Sequence, residues 1–210
     1  MKKRFFILSS ALLIFLSVIG FSDASLISKQ PSSTYAIPDT SEVKEIMKVV
    51  ENAYAIEAEA AYTFDLKKFP DVFANDPRFP VDSGTLDAVR EMTENPNLES
   101  AGMLDYKLAY FSWWRDATFH AEELYHKAKA ENRGLTAEEK KSLVDSYGRS
   151  APARAQDSVR DLPLRFLSVN VIDDVATVIL DDGPRTIELT LVLLGKRWYI
   201  AGLKGISIHP

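Results

Sequence analysis

The chain has 210 residues and no cysteine, which excludes a disulfide scaffold and a lipid anchor on a processed cysteine. Its formal net charge is −5 and it has no stripe of Lys and Arg, so we expect no binding of nucleic acid through phosphate contacts. A hydrophobic content of 46 % is compatible with a domain that relies on its core for stability.

The first 24 residues have the pattern of a secretory signal. Residues 1–4 are cationic, residues 5–21 carry no charge, and Ser22 and Ala24 place small side chains where a signal peptidase cuts. This predicts cleavage before Ser25 and a secreted or extracytoplasmic protein. The alternative is a retained anchor, because residues 5–21 are at the short edge of what spans a bilayer of roughly 30 Å. Only in that case do we expect a membrane association.

A flexible lead-in and one domain are predicted after the signal. Residues 25–41 are rich in Ser and Pro, as is typical of a tether. Residues 42–210 are the length of a single domain. Without the signal, 22 basic and 29 acidic residues remain and the charge is −7, which favours solubility.

Helical periodicity dominates the start of this domain. Over residues 42–62, apolar side chains recur at steps of three and four, which predicts a helix capped by Thr40 or Ser41. Asp65 is expected to cap a short second helix that ends near residue 73, although Pro70 lies in its middle.

The next segment mixes a strand and a helix. Residues 78–81 could form a short strand, and Ser83 can cap a third helix that runs to about residue 93. Asn95-Pro96-Asn97 then ends this segment.

An aromatic helix is predicted over residues 100–132. Its apolar side chains form two stripes, which indicates a helix that is packed between two layers. One stripe contains Tyr106, Tyr110, Trp113, Ala117, Ala121, Leu124 and Ala128, and the other contains Leu104, Leu108, Phe111 and Phe119. After Gly134, the capping-box spacing of Thr136 and Glu139 begins a further helix that ends at Gly148.

The period changes from helical to two after residue 160. Apolar and polar side chains alternate over residues 167–171 and 186–193, and residues 175–180 are apolar on both faces. Short turns at 173–174, 181–184 and 195–196 predict an antiparallel meander. Helices followed by a meander make this an α+β domain, with N-terminal helices packed on a C-terminal curved antiparallel sheet.

Two stretches resemble the NTF2-like superfamily, which includes ketosteroid isomerases and SnoaL-like polyketide cyclases. The first is Thr63-Phe-Asp65-Leu-Lys-Lys-Phe-Pro-Asp-Val-Phe73-Ala-Asn-Asp76-Pro77, followed by Ser83-Gly84-Thr85. The second is Leu191-Val-Leu-Leu-Gly195-Lys-Arg-Trp198-Tyr-Ile200. The resemblance implies a curved sheet folded around helices into a cone, with a helical insertion at about residues 95–155.

The acid-base trio of ketosteroid isomerases does not carry over to this chain. The corresponding strand holds no aspartate except Asp82 at its exit, and Tyr54 lies one turn too early for the family's tyrosine. The catalytic candidates that remain are Asp65, Asp82 and His120. His120 follows Asp116 by four residues, but Asp116 beside Arg115 is more simply a surface ion pair.

The sequence predicts no metal site and no cofactor. Glu123 and His126 have the Glu-x-x-His spacing of di-iron bundles, but such a site needs a second copy of the motif. Together with Glu122, we interpret them as the solvated face of the long helix.

The aromatic residues are the main candidates for a ligand pocket, because they combine apolar walls with polar tips. A role in the core alone is the favoured interpretation, because any helix packed against a sheet requires such residues. The candidates are Tyr54, Tyr106, Tyr110, Trp113, Trp114, Arg115 and Trp198, and Lys107 and Arg115 are the charges nearest such a pocket.

Three functions remain open from the sequence. The leading one is an exported NTF2-like domain that does no chemistry and binds a small apolar ligand or a protein partner. The others are a cavity-based dehydratase or isomerase and a structural interaction module of the cell envelope. The strand at residues 175–180 is apolar on both faces, which permits either a homodimer through the sheet, as the resemblance implies, or coverage of the second face by the inserted helices.

Overall fold

A computed structural model of the chain describes residues 37–148, 153–154 and 164–208, and four helices precede four strands within it. The helices are α1 (Ser41–Thr63), α2 (Ser83–Met92), α3 (Met103–Ala130) and α4 (Ala137–Tyr147), and a short 3-10 helix, Phe69–Asp71, lies between α1 and α2. The strands are β1 (Arg165–Ile172), β2 (Val175–Asp181), β3 (Arg185–Leu194) and β4 (Arg197–Ile208). The α+β class predicted from the sequence is confirmed.

The first helix forms where the periodicity predicts it. The Thr40 side chain accepts a hydrogen bond from the Val43 N–H and caps the helix, and Phe64 ends it in a left-handed conformation at φ 58°. One face is buried in the core; it comprises Val43, Ile46, Val50, Ala53, Ile56, Ala60 and Ala61.

The segment after α1 corrects two predictions. Asp65 caps no helix; its side chain accepts a hydrogen bond from the Lys67 N–H and shapes a turn. Residues 78–81 form no strand either. The β contact of this segment lies earlier, where Phe73 makes a parallel bridge with Ile200 of β4.

Capping residues define two of the remaining helices. Asp82, and not the predicted Ser83, caps α2 through the N–H groups of Gly84 and Thr85. For α4, the predicted capping box of Thr136 and Glu139 is confirmed.

The sheet is an antiparallel meander in the order β1-β2-β3-β4. Its register aligns Val169 with Val178 and Leu189, and Ala176 with Leu191 and Ile200, so alternate residues present one continuous apolar face. That face packs into the same core as α1 and α3. It contains the buried residues Val169, Ala176, Val178, Leu180, Ile187, Leu189, Leu191 and Ile200.

The long helix lies between other elements, as its two apolar stripes predict. Helix α3 contacts α2 and α4 as well as β4. Phe111 packs edge-on against Phe69 at a centroid distance of 4.9 Å, and Trp114 packs on Phe64 at 5.6 Å. The Trp114 Nε1 donates to the Ala153 carbonyl over 3.0 Å, which attaches the α4–β1 connection to the core.

The opposite face of the sheet is less apolar. Val192 is fully buried there, whereas Thr177, Glu188 and Thr190 are half-buried on the same face. The homodimer through this face stays a prediction. Within the described residues, no helix combines the length and the hydropathy that crossing a membrane requires.

Gly102 is in a contact that permits no side chain. A Cβ atom at this position would lie 2.3 Å from Asn75 Oδ1 and 2.7 Å from the Asn75 backbone Cα. Asn75 cannot simply move away, because its Oδ1 also accepts the Asp105 N–H at the start of α3 over 3.1 Å.

We therefore expect Gly102→Ala to lower the free energy of unfolding by about 2 kcal/mol, because the added methyl group forces the loop and the helix apart. Urea denaturation followed by circular dichroism measures the change. Gly134→Ala is the matched control, since a Cβ there meets nothing within 4 Å. Equal unfolding midpoints for the two variants would contradict this packing.

Candidate functional site

A buried carboxylate joins the sheet to the first helix. Asp182 follows β2 directly and is 1 % exposed. Its Oδ2 accepts the Tyr54 hydroxyl of α1 over 3.2 Å and the Arg185 Nε of β3 over 3.0 Å. The Asp182 N–H also donates to the Arg185 carbonyl over 3.1 Å, so the β2–β3 turn holds the carboxylate in one place.

The second oxygen of this carboxylate has no hydrogen-bond partner among the residues that the structure describes. Asp182 Oδ1 is buried and accepts no hydrogen bond from any residue that the structure describes. A buried acceptor without a donor is costly, by about 1–3 kcal/mol, and native proteins rarely retain one. The oxygen is therefore a fixed acceptor that a donor from outside the described structure can satisfy.

A second ion pair lies between α1 and α3. Lys107 forms an ion pair with Glu57, and their side chains are 9 % and 25 % exposed. The Lys107 Nζ is also 5.2 Å from the centroid of the Phe73 ring, in a cation–π contact. The Lys107–Glu57 and Arg185–Asp182 pairs together contain two carboxylates and two cations, so their charges cancel.

Two tyrosines complete the cluster. Burial raises the pKa of Tyr54, and the nearby carboxylates of Asp182 and Glu57 raise it further. Burial likewise raises the pKa of Tyr106, with added contributions from Tyr110 and Glu57. Both phenols stay protonated at physiological pH, so Tyr54 acts as a hydrogen-bond donor and not as a base.

We call Tyr54, Glu57, Tyr106, Lys107, Asp182 and Arg185 the polar cluster. Its six residues come from α1, α3 and the β2–β3 corner.

Aromatic side chains of α3 continue from the polar cluster. Tyr110 stacks near Tyr106 at 6.3 Å and lies 6.2 Å from Trp113 and 6.1 Å from Trp114, measured between ring centroids. Tyr106 and Trp114 are buried, whereas Tyr110 and Trp113 are half-buried. This row is therefore partly in the core and partly accessible.

The other predicted pocket residues lie apart from the polar cluster. Trp198 is 2 % exposed and belongs to the core under β4. Arg115 forms an ion pair with Asp116 over 2.9 Å, as its sequence position suggests.

The three catalytic candidates are not brought together by any described contact. Asp65 is exposed in its turn. Partial burial alone would raise the pKa of Asp82, but hydrogen bonds from Thr85 and Gly84 lower it below its usual range. His120 is half-buried, and its ring packs 5.8 Å from that of Tyr147.

The described residues contain no cluster of three or more His, Asp or Glu that could hold a metal ion. Glu123 and His126 are accessible on α3, and Glu122 pairs with Arg154 over 2.8 Å. An open surface depression of about 490 Å³ lies at the end of α3, lined by Tyr125, Ala128, Lys129, Asn132, Arg133 and Gly134. None of the predicted site residues lines it.

Sequence patterns single out half of the polar cluster. They identify Tyr54, Tyr106 and Lys107 but not Glu57, Asp182 or Arg185. Asp182 has the pattern of an ordinary turn residue, because Asp181-Asp182-Gly183-Pro184 consists of residues that are common in turns between strands. Glu57 has a weak signal, as an acidic residue three positions after Tyr54 at the margin of an apolar helix face.

No protein-family model, curated protein or solved structure matches the chain.

The two Arg–Asp pairs beside the β2–β3 turn differ in burial and therefore in their expected effect. In the Arg185–Asp182 pair the side chains are 17 % and 2 % exposed, and in the Arg165–Asp181 pair they are 72 % and 14 % exposed. Removal of the cation from a buried pair leaves the carboxylate charge buried and uncompensated. When the arginine of an exposed pair is removed, water solvates the carboxylate instead.

We expect Arg185→Ala to lower the free energy of unfolding by about 3 kcal/mol and Arg165→Ala by less than about 1 kcal/mol. Guanidinium chloride denaturation of both variants, at the same pH and salt, measures the difference. A similar loss in the two variants would mean that Asp182 is not desolvated in the folded protein.

Proposed function

We propose that this chain is an exported, non-catalytic binding domain that holds a small, mainly apolar ligand by one polar group. The observation that carries this proposal is Oδ1 of Asp182, which no described residue satisfies and whose carboxylate is held by Tyr54 of α1. Ligand sites in proteins combine apolar walls with a few placed polar atoms, and the polar cluster has that composition.

The position of the polar cluster supports a ligand site more than a purely structural role. A carboxylate that served only to anchor the turn would need Tyr54 and Arg185, which both use Oδ2. Oδ1 adds nothing to that anchor and carries the cost of desolvation. A ligand donor gives this oxygen a role.

The proposal includes an NTF2-like cone. It is supported by the order of helices before an antiparallel meander, and by an apolar sheet face that meets α1 and α3. In such a cone the ligand lies between the sheet and the helices. Helix α3 of the inserted segment then acts as one wall of the site, since it contributes Tyr106 and Tyr110.

Binding is favoured over catalysis because the titratable groups do not form an acid-base arrangement. Asp65 shapes an exposed turn, Asp82 caps α2, and Tyr54 stays protonated. The proposal therefore assigns no reaction to Asp65, Asp82 or His120.

The neutral fluorescent probe N-phenyl-1-naphthylamine tests the binding function. We expect saturable fluorescence enhancement with one probe per folded chain, because the aromatic wall and Asp182 offer a single site. Tyr54→Ala should weaken binding several-fold. Phe119→Ala removes an aromatic side chain that is 44 % exposed on α3 and lies outside the polar cluster, and it should leave binding unchanged.

Circular dichroism confirms that each variant is folded before the titration. Absence of saturable binding to the folded wild-type chain would overturn the ligand function. Equal weakening in the two variants would place the probe elsewhere on the surface.

Export makes a separate prediction. We expect the chain, expressed in a secreting host, to accumulate outside the cytoplasm with Ser25 as its first residue, as measured by intact mass. Leu13→Arg interrupts the uncharged segment and should leave the precursor inside the cell. Recovery of a wild-type chain that still begins at Met1 in the membrane fraction would instead identify a retained anchor.

A further inference from the structure

We infer that the group recognised at Asp182 is a neutral hydrogen-bond donor, such as a hydroxyl or an amide N–H, and that carboxylate ligands are rejected. This inference rests on the proposed binding function and specifies its ligand class. Asp182 offers one oxygen that no described residue satisfies, while its other oxygen already accepts hydrogen bonds from Tyr54 and Arg185.

The atom that a ligand would meet, Oδ1 of Asp182, can only accept a hydrogen bond. Oδ2 of Asp182 already receives two donors, from Tyr54 at 3.2 Å and Arg185 at 3.0 Å. Oδ1 receives none from the described residues, and an ionised carboxylate has no proton to donate. A ligand oxygen without a hydrogen would face this atom with two lone pairs opposed.

The neutral charge of the site selects against ions. Arg185 balances Asp182 and Lys107 balances Glu57, so a buried ammonium or carboxylate on the ligand would have no counter-ion of its own. Transfer of an uncompensated charge from water into a buried site is strongly unfavourable. A hydroxyl or amide group satisfies Oδ1 without that cost.

Four ligands with closely related phenyl-substituted bodies separate these possibilities. They are 2-phenylethanol, its methyl ether, 2-phenylethylamine and phenylacetate, each titrated by isothermal calorimetry into the exported chain. We expect 2-phenylethanol to bind about tenfold more tightly than the methyl ether, because a hydrogen bond to a charged acceptor is lost in the ether. The amine should bind less tightly than the alcohol, and phenylacetate should bind least.

The variant Asp182→Asn replaces the acceptor at the Oδ1 position with a hydrogen-bond donor. Because Tyr54 and Arg185 both donate, the amide oxygen of the new side chain must face them, and its NH2 group takes the place of Oδ1. The ratio of alcohol to ether affinity should then fall to about one, and phenylacetate should gain affinity. Arg165→Ala is the control and should keep the wild-type ranking.

The outcomes separate the two proposals. If none of the four compounds nor the naphthylamine probe binds, the binding function itself fails. If the compounds bind but phenylacetate or the methyl ether equals the alcohol, the binding function stands and the donor requirement is wrong. The wild-type ranking decides this even if the Asp182→Asn variant does not fold.

Discussion

The hydrogen bonds of Asp182 connect the two halves of this molecule. Tyr54 and Asp182 are 128 positions apart, yet their contact over 3.2 Å fixes α1 on the corner of the sheet between β2 and β3. Apolar packing alone allows a helix to slide along a sheet face, since hydrophobic burial has little directional preference. The buried carboxylate of Asp182 prevents such sliding, because its hydrogen bonds to Tyr54 and Arg185 require one position of the helix. The placement of Glu57, three residues after Tyr54, then follows from the same helix face, and with it the ion pair to Lys107 of α3.

Much of this architecture follows from residue periodicity. The helix over residues 41–63, the capping box at Thr136 and the alternation of β3 are local patterns, and local patterns determine elements that are long and amphipathic. The structure of the segment between α1 and α2 is determined by long-range contacts and not by local periodicity. Three prolines limit its local choices, and a long-range bridge between Phe73 and Ile200 decides where its β contact forms. A sequence window around Arg78 contains no information about Ile200.

The candidate site was only half predictable for the same reason. Aromatic residues on α3 are visible in sequence because the whole helix is rich in them, and Tyr54 lies on a regular apolar stripe. Asp182 becomes a functional candidate only when its burial and its unpaired oxygen are known, and both result from packing between distant elements. Its turn sequence is typical of an exposed hairpin, where an aspartate needs no partner beyond water.

A chain without cysteine depends on its hydrophobic core for stability. A polar cluster within that core has opposing effects on the free energy of unfolding. Burial of two ion pairs contributes little net stability compared with apolar residues of the same size, but loss of one member is severe. The cluster is therefore better explained by what it positions than by what it stabilises. The charges of its two ion pairs cancel, its tyrosines stay protonated, and Oδ1 of Asp182 accepts no hydrogen bond from the described residues. A core that served stability alone would have an apolar side chain there, and the donor of the ligand that we propose would satisfy the acceptor that this protein retains.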